Sequence, residues 1–261
     1  MKTFYPFLLV VVLAASGAHA QILVGPEVGA NYSWIAFGDK DLKQTYSKSP
    51  VFGFHAGGHL AFLVRKRFFL HASLLYATKG RLIEGKDDIL LRNSVTYNFI
   101  DMPVSYTVDF RARLGTGKEF KYFLGLGPDI SYWLGGRGKF FNIDYSESGL
   151  SELHYKIVFN KKEFAENEMN VEKANRLQLG LNFIAGLVLE PAPRQRIMVS
   201  CRYELGHSYL AKARGTFQNA YYTDPLLSRN QGFRVSVAYL YDLKTEDRKR
   251  GKSTVDKRKT R

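Results

Sequence analysis

Apolar side chains occupy every second position in eight separate stretches of the chain, which is the pattern of a β-strand with two unlike faces. The last stretch shows it clearly, because Phe233, Val235, Val237, Tyr239 and Tyr241 share one face. The residues between them are small, polar or charged, apart from Leu240. The other seven stretches begin near residues 22, 52, 68, 95, 120, 177 and 197. The alternation predicts eight strands, each with the roughly 9–11 residues that a tilted strand needs to cross a membrane.

The connections between the predicted strands alternate in length. Short connections follow the second, fourth and sixth strands, at 65–67, about 109–119 and 191–195. Longer connections follow the first, third, fifth and seventh strands, at about 37–50, 81–93, 135–175 and 212–229. Short turns at one end and long loops at the other are typical of outer-membrane β-barrels, and an even strand number places both termini at the short-turn end.

The composition of the polar faces indicates that they point inward. Glycines at 57, 125 and 180 suit the crowded interior of an eight-stranded barrel. Charges of both signs can pair in a closed interior, where an unpaired charge would be costly. The predicted interior charge network consists of Glu27, Asp101, Lys121, Asp129, Arg176, Arg202, Glu204 and Arg234. A soluble all-β fold with these charges on its surface is the alternative.

Two further features follow from the apolar positions. In the fourth stretch the apolar phase slips by one residue at Phe99 and Ile100, which we interpret as a β-bulge. Tyr and Trp side chains near strand ends on the apolar face are typical of the aromatic girdles at the membrane interfaces. The predicted girdle consists of Tyr32, Trp34, Tyr76, Tyr97, Tyr106, Tyr122, Tyr132, Tyr239 and Tyr241.

The ends of the chain differ from the stretch between them. Residues 1–20 combine Lys2, an apolar run and a terminal Ala18-His19-Ala20, which predicts a secretory signal peptide. Residues 21–243 form the predicted barrel, and residues 244–261 form a tail. The tail has nine Lys/Arg against three Asp/Glu and almost no apolar side chain, so we predict a disordered periplasmic segment. Its basic residues are Lys244, Arg248, Lys249, Arg250, Lys252, Lys257, Arg258, Lys259 and Arg261.

Composition and motif spacing exclude several function classes. The net charge of +14 does not indicate nucleic acid as a partner, because the signal peptide directs the chain out of the cytoplasm. His207 and Ser208 are adjacent in a strand and point to opposite faces, so they cannot pair as base and nucleophile. The histidines on the polar faces lack zinc-ligand spacing. We predict no catalytic residue, metal ligand or cofactor-binding residue, and no enzyme activity.

The connection 135–175 is the most prominent functional feature, because it is far longer than a hairpin needs and long loops are often functional. Its end, at 161–175, is polar and rich in helix-favouring residues, which predicts a short helix. A solvated surface loop without a specific role is the alternative.

Several stretches resemble a known family when they are taken in order. They are "GPEVGANYSW", "FGFHAGGHLAF", "LLYATKG", "YNFIDMPVSY", "YFLGLGPDISYWLGG" and "CRYELGHSYL". Together they resemble the PorT-like outer-membrane β-barrel proteins of the Bacteroidota over residues 21–243. The resemblance implies an outer-membrane barrel, and one branch of the family belongs to the type IX secretion and gliding machinery. The basic tail has no counterpart in the family pattern.

The sequence therefore predicts an all-β chain that folds as an eight-stranded, antiparallel, up-and-down transmembrane β-barrel. It would be a multi-pass protein of the bacterial outer membrane with both termini in the periplasm. We expect a non-catalytic structural or interaction component, with a small-molecule binding or transport barrel and an outer-membrane enzyme as alternatives. The expected partners are outer-membrane lipid, the barrel-assembly machinery during insertion, and envelope or secretion-complex proteins that contact 135–175 and the tail.

Overall fold

A computed structural model describes residues 21–86, 90–114, 118–143, 152–218 and 222–243. The predicted signal peptide and basic tail lie outside these residues. The elements are β1 (Ile22–Phe37), α1 (Lys40–Thr45), β2 (Tyr46–Ser49), β3 (Val51–Arg65), β4 (Phe68–Gly85), β5 (Leu91–Leu114), β6 (Lys118–Asn142), β7 (Leu153–Phe159), β8 (Glu168–Val171), β9 (Leu177–Ala192), β10 (Gln195–Gly206), β11 (Gly215–Phe217), β12 (Thr223–Asp224) and β13 (Ser228–Asp242). The prediction of an all-β chain is confirmed. Within the described ranges, no helix is both long and apolar enough to span a membrane.

Eight long strands pair in a closed antiparallel order, β1-β3-β4-β5-β6-β9-β10-β13 and back to β1. We call this arrangement the ring. The first and last of these strands close it, with Val28 opposite Val237 and Tyr32 opposite Phe233. Every ring strand therefore has a neighbour on both sides, which leaves no unpaired edge in the ring.

The two faces of the ring carry opposite kinds of side chain. Large apolar residues point outward and stay exposed, as Phe52 does with 77% of its surface and Leu126 with 60%. Charged residues point inward and are buried, as Arg234 is with only 1% exposed. Charged side chains are almost never buried without partners in soluble proteins, and large apolar ones are usually inside. The distribution is therefore inverted relative to a soluble fold.

The interior of the ring is filled by three layers. At the end with the short turns lies an apolar layer, the turn-side layer, made of Leu23, Ala61, Phe69, Phe123, Ile184, Val188, Met198, Ala238 and Leu240. At the opposite end lies the loop-side layer, which includes Ile35, Ile83, Val95, Tyr97, Phe99, Trp133, Phe140, Tyr155, Met169, Phe217 and Leu226. Buried polar and charged side chains that lie between these layers, such as Lys79, Asp101 and Arg234, form the polar layer.

The short turns agree with the sequence prediction at two of three places. Lys66 and Arg194 lie in the two-residue turns after β3 and β9, and each has a positive φ, 45° and 68°. The third connection is shorter than predicted, because β5 ends at Leu114 and β6 begins at Lys118. Only residues 115–117 separate these two strands, where the sequence predicted about eleven.

Most of the predicted long loops contain strands instead. Within the predicted connection 81–93, β4 continues to Gly85 and β5 begins at Leu91, and β6 runs to Asn142. Beyond the ring, β7, β8, β11 and β12 continue the sheet from the edge of β6, and β2 pairs with β4. We call β2, β7, β8, β11 and β12 the extension. The helix predicted in 161–175 is wrong, because β8 lies there and buries Met169 and Val171 in the loop-side layer.

The bulge predicted at Phe99 and Ile100 is also wrong. In the structure, β5 keeps one continuous register with β4 across both residues. The extra residue lies in β6, where Leu134 has no partner on β5 and Gly135 has a φ of 151°. The apolar phase slips in β5 because Tyr97 and Phe99 point inward into the loop-side layer.

Two neighbouring glycines of β3 provide a matched test of the close approach between β3 and β4. A Cβ atom on Gly57 would lie 2.0 Å from the carbonyl oxygen of Leu74 on β4, whereas one on Gly58 would meet nothing within 4 Å. We expect Gly57→Ala to lower the free energy of unfolding by about 1–3 kcal/mol, because overpacking forces the backbone to shift. Gly58→Ala should change it by less than about 0.5 kcal/mol. Urea unfolding followed by circular dichroism measures both, and equal effects would contradict the close strand approach at Gly57.

Candidate functional site

The centre of the polar layer is a cluster of charges from five ring strands. The Nζ atom of Lys79 on β4 lies 2.9 Å from Asp101 Oδ2 on β5 and 3.0 Å from Glu204 Oε2 on β10. It also lies 4.0 Å from Asp129 Oδ2 on β6. Arg234 on β13 places Nη2 2.5 Å from Asp101 Oδ2 and 2.6 Å from Glu204 Oε1. We call these five residues the charge cluster; it joins strands from opposite sides of the ring.

A second polar group lies on β1, β3 and β4, nearer the turn-side layer. The carboxylate oxygen Oε2 of Glu27 accepts a hydrogen bond from Ser73 Oγ at 2.6 Å and lies 2.8 Å from His59 Nδ1. The other ring nitrogen of His59 lies 2.9 Å from His71 Nδ1. The His71 ring stacks on Phe123 of the turn-side layer, with centroids 5.9 Å apart. These contacts give polar partners to Glu27 Oε2 and to both histidines, whereas the buried Glu27 Oε1 has no hydrogen-bond partner among the described residues.

Hydrogen bonding also accounts for the third buried histidine. His55 Nδ1 lies 2.8 Å from Asn31 Oδ1, and His55 Nε2 lies 2.8 Å from Ser236 Oγ. Among the residues with described positions, no group of three or more His, Cys, Asp or Glu is arranged to hold a metal ion.

The geometry of Ser73, His59 and Glu27 differs from that of a hydrolytic triad. In a triad, the acid orients one ring nitrogen and the serine hydroxyl contacts the other. Here Ser73 Oγ and Glu27 Oε2 both contact Nδ1 of His59, at 3.1 and 2.8 Å. Ser208, the serine considered in the sequence analysis, accepts a hydrogen bond from the Leu179 backbone N–H at 3.0 Å. Both hydroxyls therefore have structural partners.

The structure places six residues of the predicted charge network in the polar layer. They are Glu27, Asp101, Asp129, Arg202, Glu204 and Arg234. Two others lie elsewhere, which corrects the prediction. Lys121 pairs with Glu190 at 2.5 Å near the turn end, where both side chains are partly exposed. The Arg176 guanidinium covers the rings of Tyr132 and Phe159, at 4.7 and 4.9 Å.

The central cation of the cluster, Lys79, was missing from the predicted network. Lys79 lies on the polar face of the third predicted strand, and this position could have identified it as an interior charge. Lys79 also contacts the loop-side layer, because its Nζ lies 5.3 Å from the centre of the Phe99 ring.

The loop-side layer contains a buried polar group of its own. Arg81 on β4 forms an ion pair with Asp224 on β12, and both side chains are fully buried. Asn93 donates to Asp224 Oδ2 at 2.5 Å and accepts from the Tyr155 hydroxyl at 2.7 Å. Burial, together with the nearby Asp224 carboxylate, raises the pKa of Tyr155 well above its ordinary value, so this hydroxyl remains a donor. These contacts fix the extension to the ring.

The predicted girdle residues lie on the outer face with one exception. Six Tyr side chains are exposed there, and Trp34 and Tyr122 are half-buried. The six are Tyr32, Tyr76, Tyr106, Tyr132, Tyr239 and Tyr241. Tyr97 points inward instead and is fully buried against Trp133, with ring centroids 5.3 Å apart.

An apolar outer face around a closed ring with buried charges defines a membrane β-barrel protein. A family model described as "Outer membrane protein beta-barrel domain" matches residues 15–208. The chain belongs to this family, and its location is the outer membrane.

Several solved structures are similar to this chain at low identity. Ail, the attachment invasion locus protein of Yersinia pestis, is 12% identical over 85% of this chain and 99% of that one, with a TM-score of 0.33. Neisserial surface protein A is 13% identical over 84% and 97%, with a TM-score of 0.33. The outer membrane protease OmpT of Escherichia coli is 9% identical over 85% and 95%, with a TM-score of 0.26. These values are too low to transfer an activity. No curated protein matches the sequence significantly.

The charge cluster predicts that removing a buried cation lowers the free energy of unfolding far more than removing a cation near the surface. Arg234→Met leaves Asp101 and Glu204 without one of their two cations, and breaking a buried pair costs about 3–5 kcal/mol. Lys121→Met removes an exposed pair, which should cost about 0–1 kcal/mol. The free energy of unfolding in detergent micelles measures both. A loss for Arg234→Met no larger than that for Lys121→Met would show that the cluster does not stabilise the ring.

Proposed function

We propose that the chain forms an eight-stranded, up-and-down transmembrane barrel that is closed to solutes and acts as a non-catalytic structural or interaction component. The observation that carries this proposal is the filled interior, in which two apolar layers enclose a polar layer. A cavity beside Lys79, Asp129 and Glu204 measures only about 20 Å³, which is about enough for one water molecule. Eight strands leave an interior just wide enough for side chains.

The proposed topology places the short turns and both termini in the periplasm and the extension outside the cell. The predicted signal peptide and the position of the short turns support this orientation. The last strand, β13, alternates up to the end of the ring and has the character of a signal for the barrel-assembly machinery. The basic tail would then lie in the periplasm, where we propose that it contacts an anionic partner.

The extension is the proposed interaction element. It replaces what would be simple loops with a packed sheet, and its buried Arg81–Asp224 pair holds it to the ring. A rigid surface of this kind can bind a partner without a large loss of conformational entropy. The resemblance to PorT-like proteins of the Bacteroidota leads us to propose a partner in the type IX secretion or gliding machinery.

A closed interior predicts the absence of conductance. Purified protein inserted into a planar bilayer should give no discrete current steps, because the apolar layers and charge cluster fill the lumen. A porin inserted under the same conditions serves as the positive control. Reproducible unitary steps from this protein would contradict the closed barrel and favour transport.

The interaction role predicts protein crosslinks from the extension and none from the apolar outer face of the ring. A photo-crosslinking residue at Lys162 or Glu163, both exposed between β7 and β8, should give discrete adducts with envelope proteins in living cells. The same residue at Leu126, on the apolar outer face, is the control and should give no discrete protein adduct. Adducts that are absent from the extension, or equal at both places, would contradict the proposed role.

A further inference from the structure

Four basic side chains form a compact grid on the outer face of the sheet, just beyond the ring. Arg137 and Lys139 on β6 lie directly opposite Lys156 and His154 on β7, in that order. All four side chains are exposed. We call them the cationic grid.

The grid brings like charges together with few counter-charges. Cross-strand neighbours on one face lie about 4.5–5.5 Å apart at Cβ, and like charges there are destabilising. Glu152 is shared by Lys139, at 3.3 Å, and His154, at 3.6 Å. Arg137 and Lys156 form no ion pair within the described part of the chain. A bound anion would offset this repulsion.

The carboxylate nearest in register to Lys156 is already engaged. Glu168 on β8 lies opposite Lys156, but both of its oxygens accept from Lys161 Nζ at 3.0 Å. The hydrogen bonds from Lys161 hold the pKa of Glu168 below its ordinary value. Glu168 therefore stays directed to Lys161. Its carboxylate also attracts Lys156 through space, but it forms its ion pair with Lys161.

Neutral hydrogen-bonding groups surround the grid. An open cleft of about 730 Å³ is lined by the four basic residues together with Ser94, Thr96, Gly138, Tyr155 and Asn167. Ser94 lies opposite Lys139, and Thr96 lies opposite Arg137, on the neighbouring strand β5. The hydroxyls of Ser94 and Thr96 and the amide of Asn167 can donate to the oxygens of an anion, while Arg can bind phosphate with two parallel hydrogen bonds.

The position of the grid along β6 indicates which anion reaches it. Leu126, Tyr132 and Leu134 are exposed on the apolar outer face, and Arg137 follows three residues after Leu134. Three residues span about 10 Å of strand, which a tilt of about 40° reduces to about 7–8 Å of height. The headgroup layer beyond the hydrocarbon core is about 5–8 Å thick on each side. The grid therefore lies at the depth of lipid phosphates.

We propose that the cationic grid binds the phosphate groups of the glycolipid in the outer leaflet of the outer membrane. The inference rests on the proposed topology, in which the extension lies outside the cell. Arg137 and Lys156 contact one phosphate from opposite strands, and the hydroxyls of Ser94 and Thr96 donate to its remaining oxygens. The glycolipid thereby holds β7 against β6 at the membrane surface.

Binding is tested with the full chain in non-ionic detergent, where the orientation in a membrane plays no part. The probes are bisphosphorylated lipid A, the same lipid after enzymatic removal of its phosphates, inorganic phosphate and heparin. The double variant Arg137→Gln/Lys156→Gln removes the grid's unpaired cations. Lys43→Gln/Lys86→Gln makes the same charge change at two exposed lysines outside the grid. Heat-modifiable gel migration verifies that each variant is folded.

We expect lipid A to bind at least ten-fold more weakly to the grid variant than to wild type, with the control variant unchanged. Dephosphorylated lipid should bind as weakly to wild type as lipid A does to the grid variant. Equal binding of lipid A to all three proteins, or of both lipids to wild type, would overturn the proposal. If inorganic phosphate binds as tightly as lipid A, the ligand is a free anion. If heparin binds the grid more tightly than lipid A does, the ligand is an extracellular polysaccharide. Either result overturns the lipid assignment.

The topology is tested separately in intact cells. Lys156→Cys in a Cys201→Ser background should react with a membrane-impermeant maleimide added outside. Failure of this labelling, with lipid binding intact in detergent, would reject the orientation and leave the grid's affinity for phosphate standing. Labelling without grid-dependent lipid binding would reject lipid binding by the grid and leave the proposed topology standing.

Discussion

The pairing of charges inside the ring is the constraint on which the rest of the structure depends. Lys79 and Arg234 share Asp101 and Glu204, and these four side chains come from four different strands. Apolar layers at both ends separate them from water, so none of these charges can be left unpaired without a large cost. A one-residue slip of any contributing strand would turn its charged side chain to the apolar outer face. The cluster therefore constrains the register of the strands that contribute to it.

Because side chains fill the interior, the proposed function is assigned to the outer surfaces. The outer face of the ring is apolar and suits lipid, whereas the extension presents polar and basic side chains. The buried Arg81–Asp224 pair and the aromatic packing of Phe140 on Tyr222, with centroids 4.6 Å apart, make the extension continuous with the ring. The proposed interaction role of the extension rests on this continuity.

The sequence predicted the ring strands well because alternation is strong wherever one face contacts lipid and the other is polar. It failed at the loop-side end, where apolar residues occur on both faces. Tyr97 and Phe99 point inward while Ile100 points outward. Because the inward positions of β5 become apolar at this end, the apolar pattern in the sequence resembled the one-residue slip of a bulge. In β8 the strand is too short for a period to be recognised among polar neighbours. Interior charges could be predicted as a class, but the individual partners of Lys79 depend on strand register, which one sequence does not contain.

The bulge in β6 connects the interior packing with the cationic surface. Before it, Trp133 points inward and Leu134 outward; after it, Phe140 points inward and Arg137 and Lys139 outward. If the same residues paired without a bulge, strict alternation after Trp133 would turn both basic side chains into the loop-side layer and expose Phe140. Gly135 permits the required φ of 151°, which other residues rarely adopt. A single inserted residue therefore sets the inner aromatic packing and the outer positive charge together, so neither can change phase without the other.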